Sequence, residues 1–152
     1  METETLERIL REHPFFKEVK EHHLRAIIES ATVDRFEPGD VIFREGDPAQ
    51  SFYLIRTGKV VLQHACYRVE PVTVLTVGQG EITGWSWLFP PYRWRLTAIA
   101  LEITRAIAVD GAKLRARCDE DHDLGYGLMK QFAKIIDIRF DAVSERLVEV
   151  EV

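Results

Sequence analysis

Residues 38–60 of the chain read PGDVIFREGDPAQSFYLIRTGKV, and this stretch decides which fold the chain adopts. Gly39, Gly46 and Gly58 stand between short apolar runs, where a tight turn needs the positive φ that glycine adopts at little cost. The apolar residues between these turns alternate in the way that one inner face of a sheet requires. The stretch therefore predicts short strands joined by tight turns.

Short runs of strand-forming residues continue on both sides of this stretch, from Ala31 to Val109. No segment of helix length separates most of them, which argues against a parallel sheet with crossover helices. Short strands with a turn about every 8–12 residues are typical of a sandwich or barrel, and the last two runs are predicted to pair across Glu102. The predicted strands are Ala31–Phe36, Val41–Phe43, Ser51–Arg56, Lys59–Ala65, Pro71–Val77, Leu96–Leu101 and Ile103–Val109.

The first 30 residues carry a helical pattern, in which Leu6, Ile9 and Leu10 recur at helix spacing. The first helix is predicted to end at His13-Pro14, because the residue before a proline is pushed out of the helical conformation. A second amphipathic helix is predicted over Glu21–Ser30. Residues 1–30 are therefore expected to form two helices in front of the strands.

Helix is predicted again after the strands, over residues 110–147. Asp110 is a candidate N-cap for a helix over Gly111–Arg117, and the longest helix is predicted over Asp121–Leu147. The tail Val148–Val152 reads VEVEV, which indicates either a strand or a frayed helix end. The apolar stripe of the long helix consists of Leu124, Leu128, Phe132, Ile135, Ile138 or Arg139, Val143 and Leu147.

The composition predicts one globular domain over residues 1–152. The chain is 46% hydrophobic and 30% charged, and 20 basic against 25 acidic side chains give a formal net charge of −5. Such a chain lacks the positive surface that general binding to nucleic acid or anionic membrane requires. No apolar run approaches the roughly 20 residues of a membrane span, and the N-terminus has no signal-peptide core. We therefore expect a cytoplasmic protein that binds neither membrane nor DNA directly.

The stretch 38–60, with its three glycines and the apolar pairs between them, resembles the cyclic nucleotide-binding domain family. That family includes the catabolite activator protein and the regulatory subunits of protein kinase A. The resemblance implies a mainly β fold, an eight-stranded jelly roll with a short helix inside it, N-terminal helices and a long C-terminal helix. It also implies a homodimer through the C-terminal helix. In the family's transcription factors a winged helix-turn-helix follows that helix; because this chain ends at Val152, no DNA-binding domain is expected.

The ligand cassette of the family departs from its pattern in this chain. The resemblance implies a glycine, a glutamate that accepts the ribose 2′-hydroxyl, and an arginine that binds the cyclic phosphate together with backbone N–H groups of the short helix. Gly84 matches the glycine, but Trp85 stands in place of the glutamate and Trp94 in place of the arginine. Arg93 and Arg95 flank that position. These departures argue against ordinary cAMP or cGMP binding.

All three tryptophans of the chain lie within ten positions of one another, in this cassette. One interpretation is an aromatic pocket that stacks on a planar ligand and binds an anionic group through an arginine. The alternatives are tryptophans that fill the emptied pocket, and an aromatic surface for a protein partner. The candidate ligand-binding residues are Gly84, Trp85, Ser86, Trp87, Arg93, Trp94, Arg95 and Thr97.

The leading hypothesis is a stand-alone sensor or regulatory module that binds a cyclic nucleotide or another small, anionic, nucleotide-like molecule. The alternative hypothesis is a ligand-free interaction or scaffold module, whose contact surfaces are the aromatic cluster and the last helix. Quenching of tryptophan fluorescence by a nucleotide would favour the sensor. A pocket closed by Trp85 or Trp94 would favour the scaffold.

No catalytic site, metal site or cofactor is predicted. A metal site inside a jelly roll needs a His-x-His pair and a further ligand, and His64 is the only histidine in the predicted strand region. The chain has no G-x-S-x-G elbow and no P-loop. Its two cysteines, Cys66 and Cys118, form no C-x-x-C pair and indicate ordinary structural residues. We therefore expect a protein that is not an enzyme.

Overall fold

Helices flank the strands on both sides in the computed structural model, which describes residues 2–65 and 69–151. Helix α1 spans Glu2–Glu12 and helix α2 spans Glu21–Ser30, at the positions that the apolar spacing predicts. A single turn of 3-10 helix, Pro14–Phe16, joins them. The proline therefore ends the first helix as expected and redirects the chain toward the strands.

Eight strands form two four-stranded antiparallel sheets, which confirms the predicted jelly-roll fold. Inward-facing apolar side chains from both sheets make the core, and turn residues separate most of the strands. The strands are β1 (Thr32–Phe36), β2 (Val41–Phe43), β3 (Ser51–Thr57), β4 (Lys59–His64), β5 (Val72–Gly78), β6 (Ile82–Thr83), β7 (Thr97–Ala100) and β8 (Thr104–Asp110).

The strand order is β1-β8-β3-β6 in one sheet and β2-β7-β4-β5 in the other. The prediction that the runs 96–101 and 103–109 pair with each other is wrong. Strand β7 pairs with β2 and β4, whereas β8 pairs with β1 and β3. The chain crosses from one sheet to the other at Glu102, so the break between these runs marks a crossing and not a hairpin.

Gly58, in the turn between β3 and β4, allows the chain to pass close to this crossing. Its φ is +105°, and a Cβ atom there would lie 2.4 Å from Oγ1 of Thr104. That hydroxyl donates to the carbonyl of Glu102 at 2.9 Å. A side chain at position 58 would therefore strain the backbone. It would also displace the segment around Thr104 that connects the two sheets.

Aromatic rings hold the flanking helices against the strands. Phe52 on β3 is fully buried, and its ring centroid lies 6.3 Å from that of Phe16, 5.4 Å from Trp87 and 5.6 Å from Phe132. Phe15 completes the cluster at 4.8 Å from Phe132. Aromatic side chains bury about 150–250 Å² each and dominate the energetics of such cores. The cluster therefore fixes the N-terminal turn, the cassette and the last helix to one another.

The C-terminal segment consists of helix α3 (Gly111–Glu120) and helix α4 (His122–Glu151). Asp110 caps α3, because its side chain accepts the backbone N–H of Lys113 at 3.0 Å, as predicted. In the described part of the chain, none of the helices has an apolar stretch long enough to cross a bilayer.

The tail from Val148 onward continues α4 as far as Glu151, so the interpretation of VEVEV as a strand is wrong, while the frayed helix end stays a prediction. Extending an existing helix needs no new nucleus, so alternating residues follow the helix that precedes them. Arg146 also holds this part of α4 to strand β5, donating to the carbonyls of Thr73 and Val74 at 3.1 and 3.0 Å.

Candidate functional site

A cavity of about 190 Å³ lies between the end of β6 and the start of β7. This is the place where the resemblance puts the ligand cassette. The cavity brings together five of the eight residues predicted from the sequence, and the remaining three lie outside its lining. The five lining residues are Gly84, Trp85, Ser86, Trp94 and Arg95.

Gly84 brings the backbone of the cassette close to an aromatic ring. Its φ is +91°, and a Cβ atom there would lie 2.9 Å from Cη2 of Trp94. Real Cβ atoms do not approach other atoms so closely, and a positive φ is costly for other residues. Glycine at this position therefore sets one wall of the cavity.

Trp94 is only 6% exposed and stacks on Phe43, with ring centroids 3.8 Å apart and planes inclined by 16°. An offset or stacked aromatic pair of this kind adds to the energy of simple burial. Trp94 therefore occupies part of the space that a ligand would take in the cassette. What remains is a cavity with predominantly aromatic and aliphatic walls.

The two arginines beside Trp94 have different environments. Arg95 lines the cavity, and within the described residues it forms no hydrogen bond and no ion pair. Arg93 lies outside the lining, where it is exposed and donates to the carbonyl of Gly46 at 2.8 Å. Residues two positions apart would share one side of a regular strand. The chain instead leaves its bridge to Pro48 at Arg93 and bends at Arg95, so only Arg95 lines the cavity.

Trp85 forms a second aromatic wall, and Arg139 of helix α4 lies against it. The guanidinium carbon of Arg139 is 5.2 Å from the centroid of the Trp85 ring, within the range of a cation–π contact. Arg139 also donates to the carbonyl of Ile82, and its Nη2 lies 3.8 Å from the carboxylate of Glu81. Arg139 thus links the cassette to the last helix, in addition to the packing of Trp87 against Phe132.

Arg139 is only 8% exposed, and its Nη1 has no hydrogen-bond partner among the described residues. Burial lowers the pKa of this guanidinium to about 10, and the nearby Glu81 carboxylate opposes that shift. A buried cation with an unsatisfied donor lowers the stability of the fold.

The sequence left open whether Ile138 or Arg139 belongs to the buried stripe of the long helix. Arg139 is the buried one, since Ile138 is 69% exposed.

Trp87 and Thr97 lie elsewhere in the structure. Trp87 is fully buried and packs between Phe52 and Phe132, so its ring belongs to the core of the roll. Thr97 accepts the backbone N–H of Glu45 through its hydroxyl at 3.0 Å. Together with Arg93, these are the three sequence-predicted residues that do not line the cavity.

The sequence did not predict four residues of the cavity wall, nor Arg139, which lies against the ring of Trp85. Thr83 and Leu96 directly flank the predicted cassette, so a wider window would have included them. Phe43 and Leu62 come from strands β2 and β4, and inward alternation in those strands is the signal that could have found them. The missed lining residues are Phe43, Leu62, Thr83 and Leu96.

A separate polar cluster, not predicted from the sequence, lies where α2 meets the junction of α3 and α4. Ligand-type atoms of His22, His23 and Asp121 lie within 4.8 Å of one another. Arg117 donates to Nδ1 of His23 at 3.2 Å, and Nε2 of His23 lies 2.8 Å from a carboxylate oxygen of Asp121. Nε2 therefore carries the proton and donates to Asp121. With both ring nitrogens engaged and a guanidinium beside the ring, the cluster favours a structural link over a metal site.

Cys118 is a buried thiol with no feature of a redox site. Burial raises its pKa to about 11, and the carboxylates of Asp119 and Asp121 act in the same direction. Such a thiol is protonated at neutral pH and is a poor nucleophile. Its sequence neighbour Arg115 lies instead over the ring of Tyr92, at 3.9 Å from the centroid. Cys66 lies outside the described residues.

Comparison with known proteins confirms the resemblance. The family model described as "Cyclic nucleotide-binding domain" matches residues 33–121. A crystal structure from Geobacter metallireducens, described as a cyclic nucleotide-binding protein, is 28% identical, has a TM-score of 0.78 and aligns over 92% of this chain and 98% of its own. The N-terminal domain of a transcriptional regulator from Streptomyces coelicolor is 25% identical, with a TM-score of 0.65 over 88% of this chain and 94% of its own.

Among curated proteins, the chain is similar to a cAMP-dependent protein kinase regulatory subunit from Hypocrea atroviridis. The two are 33% identical over 78 residues, which are 51% of this chain and 16% of that protein. The aligned part is therefore less than a fifth of the relative's length. The likeness covers one module of a larger protein, not its whole architecture.

Proposed function

The chain belongs to the cyclic nucleotide-binding domain family, and from this premise we propose that it is a regulatory module that senses a small, anionic, partly planar ligand in the cassette cavity. The family is regulatory and typically non-enzymatic. Trp85 and Trp94 supply aromatic walls, and Arg95 supplies the positive charge. We place this module in the cytoplasm. Because its formal net charge is −5, we do not propose that it binds DNA directly.

The observation that carries the proposal is a cation without a protein partner in the wall of an apolar cavity. Arg95 lines the cavity and forms no hydrogen bond or ion pair within the described residues. Arg95 is exposed, and its guanidinium can offer an anion charge-assisted hydrogen bonds, which are stronger than those between neutral groups. Pockets with predominantly apolar walls and a few convergent polar groups are typical ligand sites.

The same module is proposed to form a homodimer through helix α4, whose outer face carries an apolar stripe at heptad spacing. Tyr126 and Phe140 on this stripe are each 68% exposed, and Leu147 is 61% exposed. Such a stripe on a solvent-facing helix fits against its own copy in a two-stranded coiled coil. Its members are Tyr126, Met129, Ala133, Ile136, Phe140, Val143 and Leu147.

A second candidate function is a ligand-free interaction module, and the stacking of Trp94 on Phe43 favours it. The ring of Trp94 is buried in the cassette, at the position where the resemblance implies an arginine for the cyclic phosphate. In this alternative the cavity is a gap in the packing that binds no ligand, and α4 alone performs the function by assembling subunits. The two candidates differ in whether any small anion stabilises the fold.

Thermal unfolding against a panel of compounds tests the proposal. The panel contains cAMP, cGMP, AMP, adenosine, inorganic phosphate and a series of aromatic carboxylic acids. A ligand at 100 times its Kd adds about 2.7 kcal/mol to the free energy of unfolding, which gives a clear rise in Tm. We expect at least one planar anion to raise the Tm and the uncharged adenosine not to. If no compound raises it, the ligand-free interaction module is the function that remains.

A further inference from the structure

Resting on the proposed function, we infer the chemical class of the ligand: a flat aromatic group that carries one carboxylate, and not a cyclic nucleotide. Three features of the cassette cavity carry this inference, namely its size, the chemistry of its walls and the number of its charges.

The size of the cavity limits the ligand to a small molecule. Its volume is about 190 Å³, whereas sites for drug-sized ligands typically occupy about 300–1,000 Å³. Trp94 is packed on Phe43 at 3.8 Å, and this ring pair also lines a second pocket whose other walls include the polar side chains of Arg44, Asp47 and Gln50. One or two fused rings fit within this volume, whereas a base, a sugar and a cyclic phosphate together would extend out of it through the open side of the cavity.

The walls select an apolar, flat group. Phe43, Leu62, Trp85, Trp94 and Leu96 provide most of the lining. The uncharged polar side-chain groups of the lining residues are the hydroxyls of Thr83 and Ser86 and the two indole N–H groups. A flat aromatic ring gains stacking energy against indole rings in addition to the energy of burial. A ribose would place its hydroxyl groups against hydrocarbon, where each unsatisfied group weakens binding about tenfold or more.

The charges of the site match one anionic group. Arg95 is the one charged side chain among the described residues that line the cavity, and its planar fork fits a carboxylate through two parallel hydrogen bonds. Among the described lining residues there is no aspartate or glutamate to accept a sugar hydroxyl. The nearest candidate by sequence, Glu81, is half exposed and lies beside Arg139 instead.

Isothermal titration calorimetry with four probes tests the inference on the full chain. Indole-3-acetate is the aromatic anion, indole-3-acetamide its uncharged counterpart, cyclohexylacetate a non-aromatic anion, and cAMP the nucleotide. We expect indole-3-acetate to bind at least about tenfold more tightly than each of the other three, since each lacks either the charge, the flat ring or the small size.

Two matched substitutions test whether Arg95 is the residue that binds the carboxylate of the ligand. Arg95→Gln should weaken indole-3-acetate binding about 10- to 100-fold, the effect of losing a charge-assisted hydrogen bond, and should leave indole-3-acetamide binding unchanged. Arg93→Gln, two residues away and outside the lining, should change neither. Far-ultraviolet circular dichroism confirms that each variant is folded. Binding of indole-3-acetate that survives Arg95→Gln would overturn the inference.

The probes also separate the inference from the function on which it rests. If cAMP binds more tightly than indole-3-acetate, the ligand class is wrong while the sensing of a small planar anion stands. If cyclohexylacetate equals indole-3-acetate, the aromatic requirement is wrong and the anion site stands. If none of the probes and none of the compounds in the unfolding panel binds, both proposals are rejected together.

Discussion

Gly84 is the residue whose backbone shapes the cavity most directly. Gly84→Ala should lower the free energy of unfolding by about 2–4 kcal/mol, because it combines the cost of a positive φ for a residue with a side chain with a clash against a packed ring. The new Cβ would lie 2.9 Å from Trp94. Urea unfolding of the purified variant, followed by circular dichroism, measures the change.

Gly80 provides the matched control for this substitution. Its φ is +83°, but a Cβ atom there would meet no atom within 4 Å. Gly80→Ala should therefore cost only the conformational part, about 1–2 kcal/mol. If both variants lose the same free energy of unfolding, the ring of Trp94 moves aside at little cost, and it is not a rigid wall of the cavity.

Asp121 is predicted to make the fold sensitive to acid. Its carboxylate accepts from His23 and from the backbone N–H groups of Leu124 and Asp123, and these bonds, His23 foremost, hold its pKa below the usual range. A lowered folded pKa contributes stability above the unfolded value of about 3.9, and this contribution is lost as pH falls through the folded pKa. Asp121→Asn should therefore be less stable than the parent protein at pH 7.

The pH dependence of this difference is the measurement. Urea midpoints recorded between pH 7 and pH 3 should begin to converge for Asp121→Asn and the parent protein below about pH 4, where the unfolded carboxylate takes up its proton, and the gap should keep narrowing as pH falls toward the lowered folded pKa. Asp123→Asn is the control, because the Asp123 carboxylate forms no hydrogen bond within the described residues. A gap between Asp121→Asn and the parent protein that is as wide at pH 3 as at pH 7 would contradict the charge-based account.

The chemistry of individual site residues was harder to predict than their location. The sequence places Arg93 and Arg95 equally near the cassette, and only the path of the backbone decides that Arg95 lines the cavity while Arg93 binds a carbonyl on the surface. Trp87 was grouped with the other tryptophans, yet its ring packs into the core. A bend at Arg95 and a turn of 3-10 helix over Ser86–Leu88 decide these roles, and the composition of the cassette does not reveal either of them.

Among the elements, helix α4 has apolar side chains on two of its faces. One face packs against the roll through Leu124, Leu128 and Phe132, which are all buried. Further along the same helix, Arg139 contacts Trp85 of the cassette. The outer face carries the heptad stripe. Because the same rigid helix bears both faces, a shift of the cassette against Arg139 would move the stripe as well.

Arg139 is predicted to hold Trp85 in place more than it stabilises the fold. Arg139→Met should change the free energy of unfolding by less than about 1 kcal/mol, because it removes a buried cation with an unsatisfied donor while keeping a chain of similar length. The indole N–H signal of Trp85 in a nitrogen–proton NMR spectrum should move and broaden, since the ring loses its cationic neighbour. Trp85→Phe assigns that signal.

Arg146 offers the matched control on the same helix. It also donates to strand carbonyls, but from an exposed position, and it does not touch Trp85. Arg146→Met should leave the Trp85 signal in place. If Arg139→Met leaves that signal unchanged too, or if it unfolds the protein, Arg139 is a structural residue and not the positioning residue of the cassette.

Elements with strong periodicity were predictable, and the short or irregular ones were not. The helices at both ends and seven of the strands lie close to where spacing of apolar residues puts them. Strand β6 has only two residues, Ile82–Thr83, too few for alternation to be recognised. The pairing of β7 and β8 with different sheets is a property of the crossing at Glu102, which local sequence does not encode.

At the scale of the whole molecule, the outer face of α4 predicts how two subunits meet. Phe140 lies at the centre of the stripe and is 68% exposed. Phe140→Lys should weaken dimerisation at least about 100-fold, since each subunit loses a buried aromatic contact and gains an ammonium group that must be desolvated. Sedimentation equilibrium over a range of protein concentrations measures the dissociation constant.

Ile138 makes this prediction specific to the stripe. It is as exposed as Phe140, at 69%, and as apolar, but it stands two residues away and therefore about 200° around the helix. Ile138→Lys should change the dissociation constant less than about threefold, because exposed apolar residues contribute little outside an interface. If Ile138→Lys abolishes the dimer and Phe140→Lys does not, the subunits meet on the opposite face. If the parent protein is monomeric at every concentration, the stripe serves another partner and the proposed homodimer is wrong.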